Sequence, residues 1–302
     1  MSKSHHICVC ICTYKRPALL SRLLMKLEEQ WTDNLFHYSV VIVDNDSTGS
    51  ARQTTELYAA KSKIAIQYYV EPEQNISLAR NKAVESAKGD LLAFIDDDEF
   101  PEDDWLLNLF KAFHKYRADG VLGPVKPYFE IEPPSWIVKG KICERKSFPS
   151  GTILYDARYT RSGNVLINRQ IFENADMRFD ARFGKTGGED CDFFRRLMQR
   201  GGLLVWCNEA CVHEVVPVER FSRSYFLKRE LLAGWAHANS KKGSHSTIDG
   251  FKSVAAFVLY TLALPGILLL RYDLFMKYLI KDCWHISMIL SLCGLKIINK
   301  RV

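Results

Sequence analysis

The 302-residue chain predicts an α/β fold, a mostly parallel sheet flanked by helices, followed by a helical, basic appendage. Three observations carry that expectation. Over roughly the first hundred residues, β-branched apolar runs alternate with segments of helical period, the pattern of βαβ units. Three consecutive carboxylates, Asp96, Asp97 and Asp98, follow the last apolar residue of a strand run. Open α/β sheets bind ligands at that end of their strands. The charge is also divided: residues 220–302 hold 13 Lys and Arg against four acidic residues, and residues 1–219 hold 28 against 31.

The elements follow in order. His6–Cys12 reads as a buried strand, and Pro17–Gln30 as a helix with leucines 19, 20, 23, 24 and 27 at helical spacing and proline at its start. Tyr38–Val43 is a second strand, 50–61 a helix and Lys63–Val70 a third strand. Ser77–Lys88 is a helix stopped by Gly89, and Leu91–Ile95 is the fourth strand. Asp103–Tyr116 reads as a helix and Gly120–Val125 as a strand. Residues 126–150 hold four prolines and no clear period, so a long surface loop is expected. Gly163–Ile167 is a short strand, Asn168–Asn174 a short helix, and Glu189–Arg200 a helix introduced by Gly187 and Gly188. Leu203–Cys207 and Cys211–Val216 are short strands, and from Phe221 the pattern is helical.

Composition narrows the class. With 47% apolar and 25% charged residues, disorder and a small disulfide scaffold are excluded. A mean hydropathy of −0.12 argues against a polytopic membrane protein. Of nine cysteines, Cys8, Cys10 and Cys12 share one face of the first strand, where thiols serve as small hydrophobes. The N-terminal apolar run is too short for a secretory signal, so a reducing, cytoplasmic compartment is expected. The basic residues interleave with a long apolar run rather than a recognition module, so no nucleic-acid partner is expected.

Two acidic segments carry the chemistry. Clustered carboxylates at Asp96–Asp98 repel one another, and a hard divalent cation, Mg²⁺ or Mn²⁺, is the usual compensation. A solvated acidic turn before the next helix is the plain alternative. Thr186-Gly-Gly-Glu189-Asp190-Cys-Asp192 opens a helix, where carboxylates are also favoured by the macrodipole alone. Together the segments suggest division of labour, one holding a metal beside a leaving group and the other acting as general base.

Five motifs in chain order now resemble a known family: Cys12-Thr-Tyr-Lys-Arg-Pro17, Val43-Asp-Asn-Asp-Ser47, Asn75-Ile-Ser-Leu-Ala-Arg-Asn81, Phe94-Ile-Asp-Asp-Asp98 and Gly187-Gly-Glu-Asp190. They look like a family 2 inverting glycosyltransferase with the GT-A fold. Gly123-Pro-Val125, Pro133-Pro-Ser-Trp136 and Thr186–Asp190 are similar to bacterial exopolysaccharide chain-extending glucosyltransferases of the succinoglycan type. The resemblance implies a nucleotide-sugar donor, a UDP-hexose, contacted by Thr13, Tyr14, Asp44, Asn45, Arg80, Asp96 and Asp97. It implies Asp98 and Asp96 as ligands of Mn²⁺ or Mg²⁺ and Asp190 as catalytic base. Residues 1–219 would form the catalytic domain, with a nucleotide-sugar half (1–125) and an acceptor half (126–219).

Two departures stand out. Many relatives carry Asp-Asp where Asp44-Asn45 stands here. Many also carry a histidine after the base helix in a register that His213-Glu214 does not match; His213 is then a metal or phosphate contact, or a satisfied, partly buried histidine. Trp136 either stacks on an acceptor sugar or anchors its loop. Glu189 lies with the acceptor site or supports the base.

Residues 220–302 suggest membrane association. Phe221, Tyr225, Phe226, Leu232 and Trp235 interleave with Arg220, Arg223, Lys228 and Arg229. Ser253–Leu270 is uncharged, but Pro265-Gly266 interrupts it, which favours a re-entrant or in-plane helix over a span, a soluble helix packed on the catalytic domain being the plain alternative. Phe275–Ile298 is amphipathic, with Lys277, Lys281, Lys296, Lys300 and Arg301 suited to an anionic surface. The cytoplasmic face of the plasma membrane is therefore expected, a placement that makes sense if the acceptor is a polyprenyl-diphosphate-linked oligosaccharide. The competing classes are a sugar-nucleotide nucleotidyltransferase, which would want glycines after the first strand, and a non-catalytic polysaccharide-assembly subunit.

Overall fold

A computed structural model describes residues 5–240 and 247–295. The chain forms two compact units, one of residues up to 126 together with 145–215, the other of 127–144 and 216 onward.

In the first unit the strands are β1 (His5–Thr13), β2 (Phe36–Asp44), β3 (Ala65–Val70), β4 (Leu91–Asp96), β5 (Glu99–Pro101) and β6 (Gly120–Leu122). β7 (Val125–Tyr128) leads out of the unit, and β8 (Asn164–Asn168), β9 (Leu204–Trp206) and β10 (Val212–Val215) complete it. Its helices are α1 (Pro17–Glu28), α2 (Arg52–Ala59), α3 (Ile76–Ser86), α4 (Trp105–Tyr116) and α6 (Glu189–Gln199). The intervening α5 (Ser135–Gly140) belongs to the second unit.

The main sheet has the order β3-β2-β1-β4-β8-β6-β9. β1 lies parallel to β2 on one side and to β4 on the other, and β8 runs antiparallel to β4 and β6. The expected parallel arrangement therefore holds with one reversed strand. That strand matters, because Asn164 pairs opposite Ile95 at the end of β4. The residues entering β8 are thereby delivered to the same sheet edge as the carboxylates leaving β4.

The period-2 pattern of β1 explains its central position. Ile7, Val9 and Ile11 face one buried cluster, with the α1 leucines and Trp105, Leu106 and Leu109 of α4. Cys8 and Cys10 face the opposite cluster, with Ala79, Ala83 and Val84 of α3 and Phe193 and Phe194 of α6. A strand covered by helices on both faces reads as an unbroken apolar run. The thiols are packing groups, and every cysteine is unpaired. Gly89 is needed for close approach, since a Cβ there would lie 2.6 Å from the Cys8 backbone nitrogen.

The second unit contains α5, α7 (Arg223–Ser240), α8 (Thr247–Leu270) and α9 (Tyr272–Leu292). Residues 127–144, expected as loop, thus carry a helix; Trp136 and Ile137 of α5 pack with Phe226, Met276 and Ile280. Phe226 is buried, and Phe221 and Tyr225 pack against the same core, so these aromatics are structural rather than set out for a membrane interface. Pro265 does not break α8, which continues through it to Leu270. Lys296, Lys300 and Arg301, and Phe275–Ile298 beyond residue 295, lie outside the described residues.

Asn164 joins the layers of the first unit. Its Oδ1 accepts from Trp105 Nε1 at 2.8 Å, and its Nδ2 donates to Pro124 O at 3.0 Å and Ala210 O at 2.8 Å. Asn164→Ala orphans the buried Trp105 indole N–H and the Ala210 carbonyl, each costing about 1–3 kcal/mol, while Pro124 O keeps the Val212 amide at 3.0 Å. Urea unfolding should show a stability loss of about 3 kcal/mol with an unchanged m-value.

Candidate active site

The parallel register aligns the strand ends: Thr13 opposes Asp44, and Cys12 opposes Asp96. At this edge the acidic segment forms two linked groups. In the first, Asp97 Oδ2 accepts from Thr13 Oγ1 at 2.8 Å, and Arg16 Nη1 donates to Asp97 Oδ1 and Asp98 Oδ2, each at 3.0 Å. In the second, Arg80 Nη1 donates to Glu189 Oε1 at 2.6 Å and Asp190 Oδ1 at 2.9 Å, while its Nη2 reaches Asp96 Oδ1 at 3.4 Å. Glu99 Oε2 accepts from the Asp96 amide at 3.2 Å.

Arg80 is positioned by α3, whose first turn is capped by Asn75 through bonds from the Ser77 and Leu78 amides. Asp190 stands in the first turn of α6, after Gly187 (φ 86°) and Gly188 (φ 97°). Those left-handed angles favour glycine. The Asp190 carboxylate is further held by Ser162, whose Oγ donates to Oδ1 at 2.7 Å and whose amide donates to Oδ2 at 3.3 Å. Gly163 completes the edge: a Cβ there would sit 2.6 Å from Glu99 Oε1 and 2.9 Å from Asp96 Oδ2.

Burial shapes the charge. Desolvation, then repulsion from Asp96, pushes the Asp98 carboxyl up to about 7 despite Arg16. The same two causes hold the Glu99 carboxyl well above its usual range. Desolvation, then Asp190, raises Glu189, with Arg80 opposing. Desolvation works against the Arg80 charge, but Asp190, Asp96 and Glu189 outweigh it and leave the guanidinium more strongly protonated than usual.

Thus Thr13, Arg80, Asp96, Asp97, Asp98, Glu189 and Asp190 converge, and Tyr14 is exposed close by in sequence. Other expected residues do not present themselves to a ligand. Asp44 is fully buried, with its oxygens accepting from the Asp46 and Ala51 amides and Tyr68 OH. Asn45 is likewise consumed, donating to Glu71 O and Glu73 O and accepting from the Asn75 amide. Both organise the loops at this sheet edge.

Arg80 is an ion-paired clamp rather than an open phosphate contact, and Glu189 is buried beside Asp190, sharing the Arg80 guanidinium with it. Trp136 is buried edge-on to Phe226, which makes it an anchor instead of a sugar platform. His213 stacks on Phe100 and pairs with Glu102 at 2.7 Å. Strand alternation turns its neighbour Glu214 toward the acidic side, where it opposes Glu99 in register and pairs with Arg145. Sequence reasoning missed Arg16, Ser162, Gly163, Arg145 and Glu214. Only Arg16 lay inside a quoted motif, and only alternation along the strand pointed to Glu214.

The comparisons with known proteins decide the class. Residues 8–181 match the model of Glycosyl transferase family 2. The chain belongs to that family. It is 35% identical over 235 residues to succinoglycan biosynthesis protein ExoM of Rhizobium meliloti, spanning 77% of this chain and 74% of that protein. It is 24% identical to the hyaluronan synthase of Pasteurella multocida, covering 65% of this chain and 23% of that longer enzyme. Among solved structures, S. aureus TarS superposes with a TM-score of 0.57 at 15% identity, over 94% of this chain and 55% of TarS. TarS residues 1–349 in complex with UDP give 0.54 at 17% identity, over 98% and 95% of the two chains. The fold is therefore GT-A, and the protein is a glycosyltransferase.

For Asp98 the folded-state pKa lies above the ordinary one, so it disfavours folding increasingly as pH rises from about 4 to about 7, and fully above that. Asp98→Asn should raise the melting temperature of the ligand-free protein by several degrees at pH 8. The gain should shrink as the scan is repeated toward pH 5.

Proposed function

We propose that this family 2 glycosyltransferase moves a hexose, with inversion, from a UDP-sugar to a hydroxyl of a lipid-linked oligosaccharide in surface polysaccharide assembly. The observation that carries the reading is Asp190, oriented by Ser162 and Arg80 at the opening of α6 and set at the same sheet edge as Asp96 and Asp98. The UDP-bound TarS fragment supports the donor nucleotide, and the succinoglycan relative supports the polysaccharide role.

In this scheme Asp190 accepts the proton of the acceptor hydroxyl. The oxygen forms its bond to the anomeric carbon while the bond from that carbon to the diphosphate breaks, and UDP leaves with the electron pair. Ser162 and Arg80 fix the carboxylate so that the proton transfer needs no reorientation. The donor set fits a hard cation in kind: Asp96 is open to solvent, and Asp98 is a crowded carboxylate that a positive charge would relieve. Among the described residues, no three acidic, His or Cys side chains form a ready cage. Mg²⁺ and Mn²⁺ sites often draw remaining ligands from phosphate and water. Bound by Asp98 and Asp96, such an ion would neutralise charge developing on the leaving diphosphate.

α8 supplies the membrane argument. Gly250–Leu270 is 21 residues of mean hydropathy 2.2, long and apolar enough to cross a bilayer by length and composition. Leu259, Leu262 and Leu269 are exposed on it. A cytoplasmic-side placement on anionic lipid suits a lipid-linked acceptor and the basic C-terminal segment.

Asp190→Asn should lower transfer about 10²–10⁴-fold while UDP affinity, by calorimetry, stays within about twofold. Transfer at the wild-type rate would remove Asp190 as base. For the membrane, the full chain should float with anionic liposomes, and Leu262→Asp with Leu269→Asp should abolish flotation. Equal flotation of both proteins would refute the role of α8.

A further inference from the structure

One cleft of the first unit is not used by the chemistry above. It has a volume of about 390 Å³ including its open mouth. Arg145, Lys146, Arg158 and Arg161 line it, with the rings of Tyr159 and Trp206. Thr13, Arg16 and Asp96–Asp98 are not among its walls. Arg161 directly precedes Ser162, the residue that holds Asp190, so the cleft adjoins the base side of the site.

The cations in this cleft are not equivalent. Arg145 is paired with Glu214 and Arg158 with Asp156. Among the described residues, neither Lys146 nor Arg161 has a carboxylate ion-pair partner. Lys146 sits over the Phe148 and Tyr159 rings, 4.8 and 4.7 Å from their centroids. Arg161 is reachable from solvent yet crowded by protein; desolvation and then Arg145 push its pKa down, outweighing the more distant carboxylates of Asp190, Glu214 and Glu99. The Nε1 of Trp206 is a buried donor with no protein acceptor. Two cations without an ion-pair partner in one concavity are complementary to an oxyanion.

We propose that this cleft binds an anionic group, a phosphate or a carboxylate, carried by the acceptor, with Arg161 and Lys146 as its charged contacts. The proposal rests on the assignment of Asp190 as the base that receives the acceptor. An acceptor held there by its charge would present a hydroxyl to Asp190, so the cleft selects acidic over neutral acceptors.

The test is calorimetry on the full chain. UDP is titrated first, which examines the donor site by itself. Glucose 6-phosphate, D-glucuronate and D-glucose are then titrated into the UDP-saturated protein. Either anion should bind at least tenfold tighter than glucose, and the better of the two identifies the group as phosphate or carboxylate. Arg161→Gln should weaken anion binding at least fivefold, and Arg161→Lys should restore most of it. Lys146→Gln provides the same comparison if Arg161→Gln does not melt cooperatively. Glucose binding as well as the anions, or anion binding unchanged in the folded variants, overturns the proposal. Loss of UDP binding alone would count against the donor assignment and leave the cleft result standing.

Discussion

The site depends on one guanidinium. Arg80 is buried and bonded to Glu189 and Asp190 while also reaching Asp96. Without it, carboxylates from two distant segments would meet in a desolvated place with nothing to offset their repulsion. A buried ion pair is not a strong source of stability, but removing one partner is severe because a charge is left uncompensated. Arg80 is thus the condition for assembling the acidic edge, and Arg16 does the corresponding work for Asp97 and Asp98.

The sheet delivers these groups with little freedom. β1 is covered on both faces, which fixes its register with β2 and β4 and brings Thr13 and Asp96 to one edge. The reversed strand β8 then carries Gly163 and Ser162 to that edge from the opposite chain direction. The missing Cβ at 163 is what allows Glu99 and Asp96 to crowd so closely. Fold and chemistry are therefore linked through backbone register rather than through loop plasticity.

The parts visible in the sequence were those with a local signature. Alternating apolar periods marked the first four strands and their helices, and Asp96–Asp98 and Glu189–Asp190 stood out as acidic ends of regular elements. Residues whose role arises only from tertiary pairing were not legible. Ser162 has no motif, and its meaning comes from a bond to a residue 28 positions away. Asp44 and Asn45 lay in a recognisable motif, yet the structure spends their polar atoms on neighbouring backbone. Trp136 and the α7 aromatics looked suited to ligands or lipid because sequence shows ring chemistry without showing which side is covered. Pro265 suggested a break, but the 18 residues before it in α8 and the five after it continue one helix.

The span between Arg80 and its partners has a consequence for synthesis. Arg80 leaves the ribosome about a hundred residues before Glu189 and Asp190, and α3 can close on the sheet well before α6 exists. Until α6 arrives, that early half must either keep its guanidinium hydrated or bury a cation lacking two of its three carboxylates. Burying Arg80 before α6 arrives carries an electrostatic cost that the finished site does not. Docking of α6 thus compensates the Arg80 charge and sets Asp190 at the sheet edge in the same event.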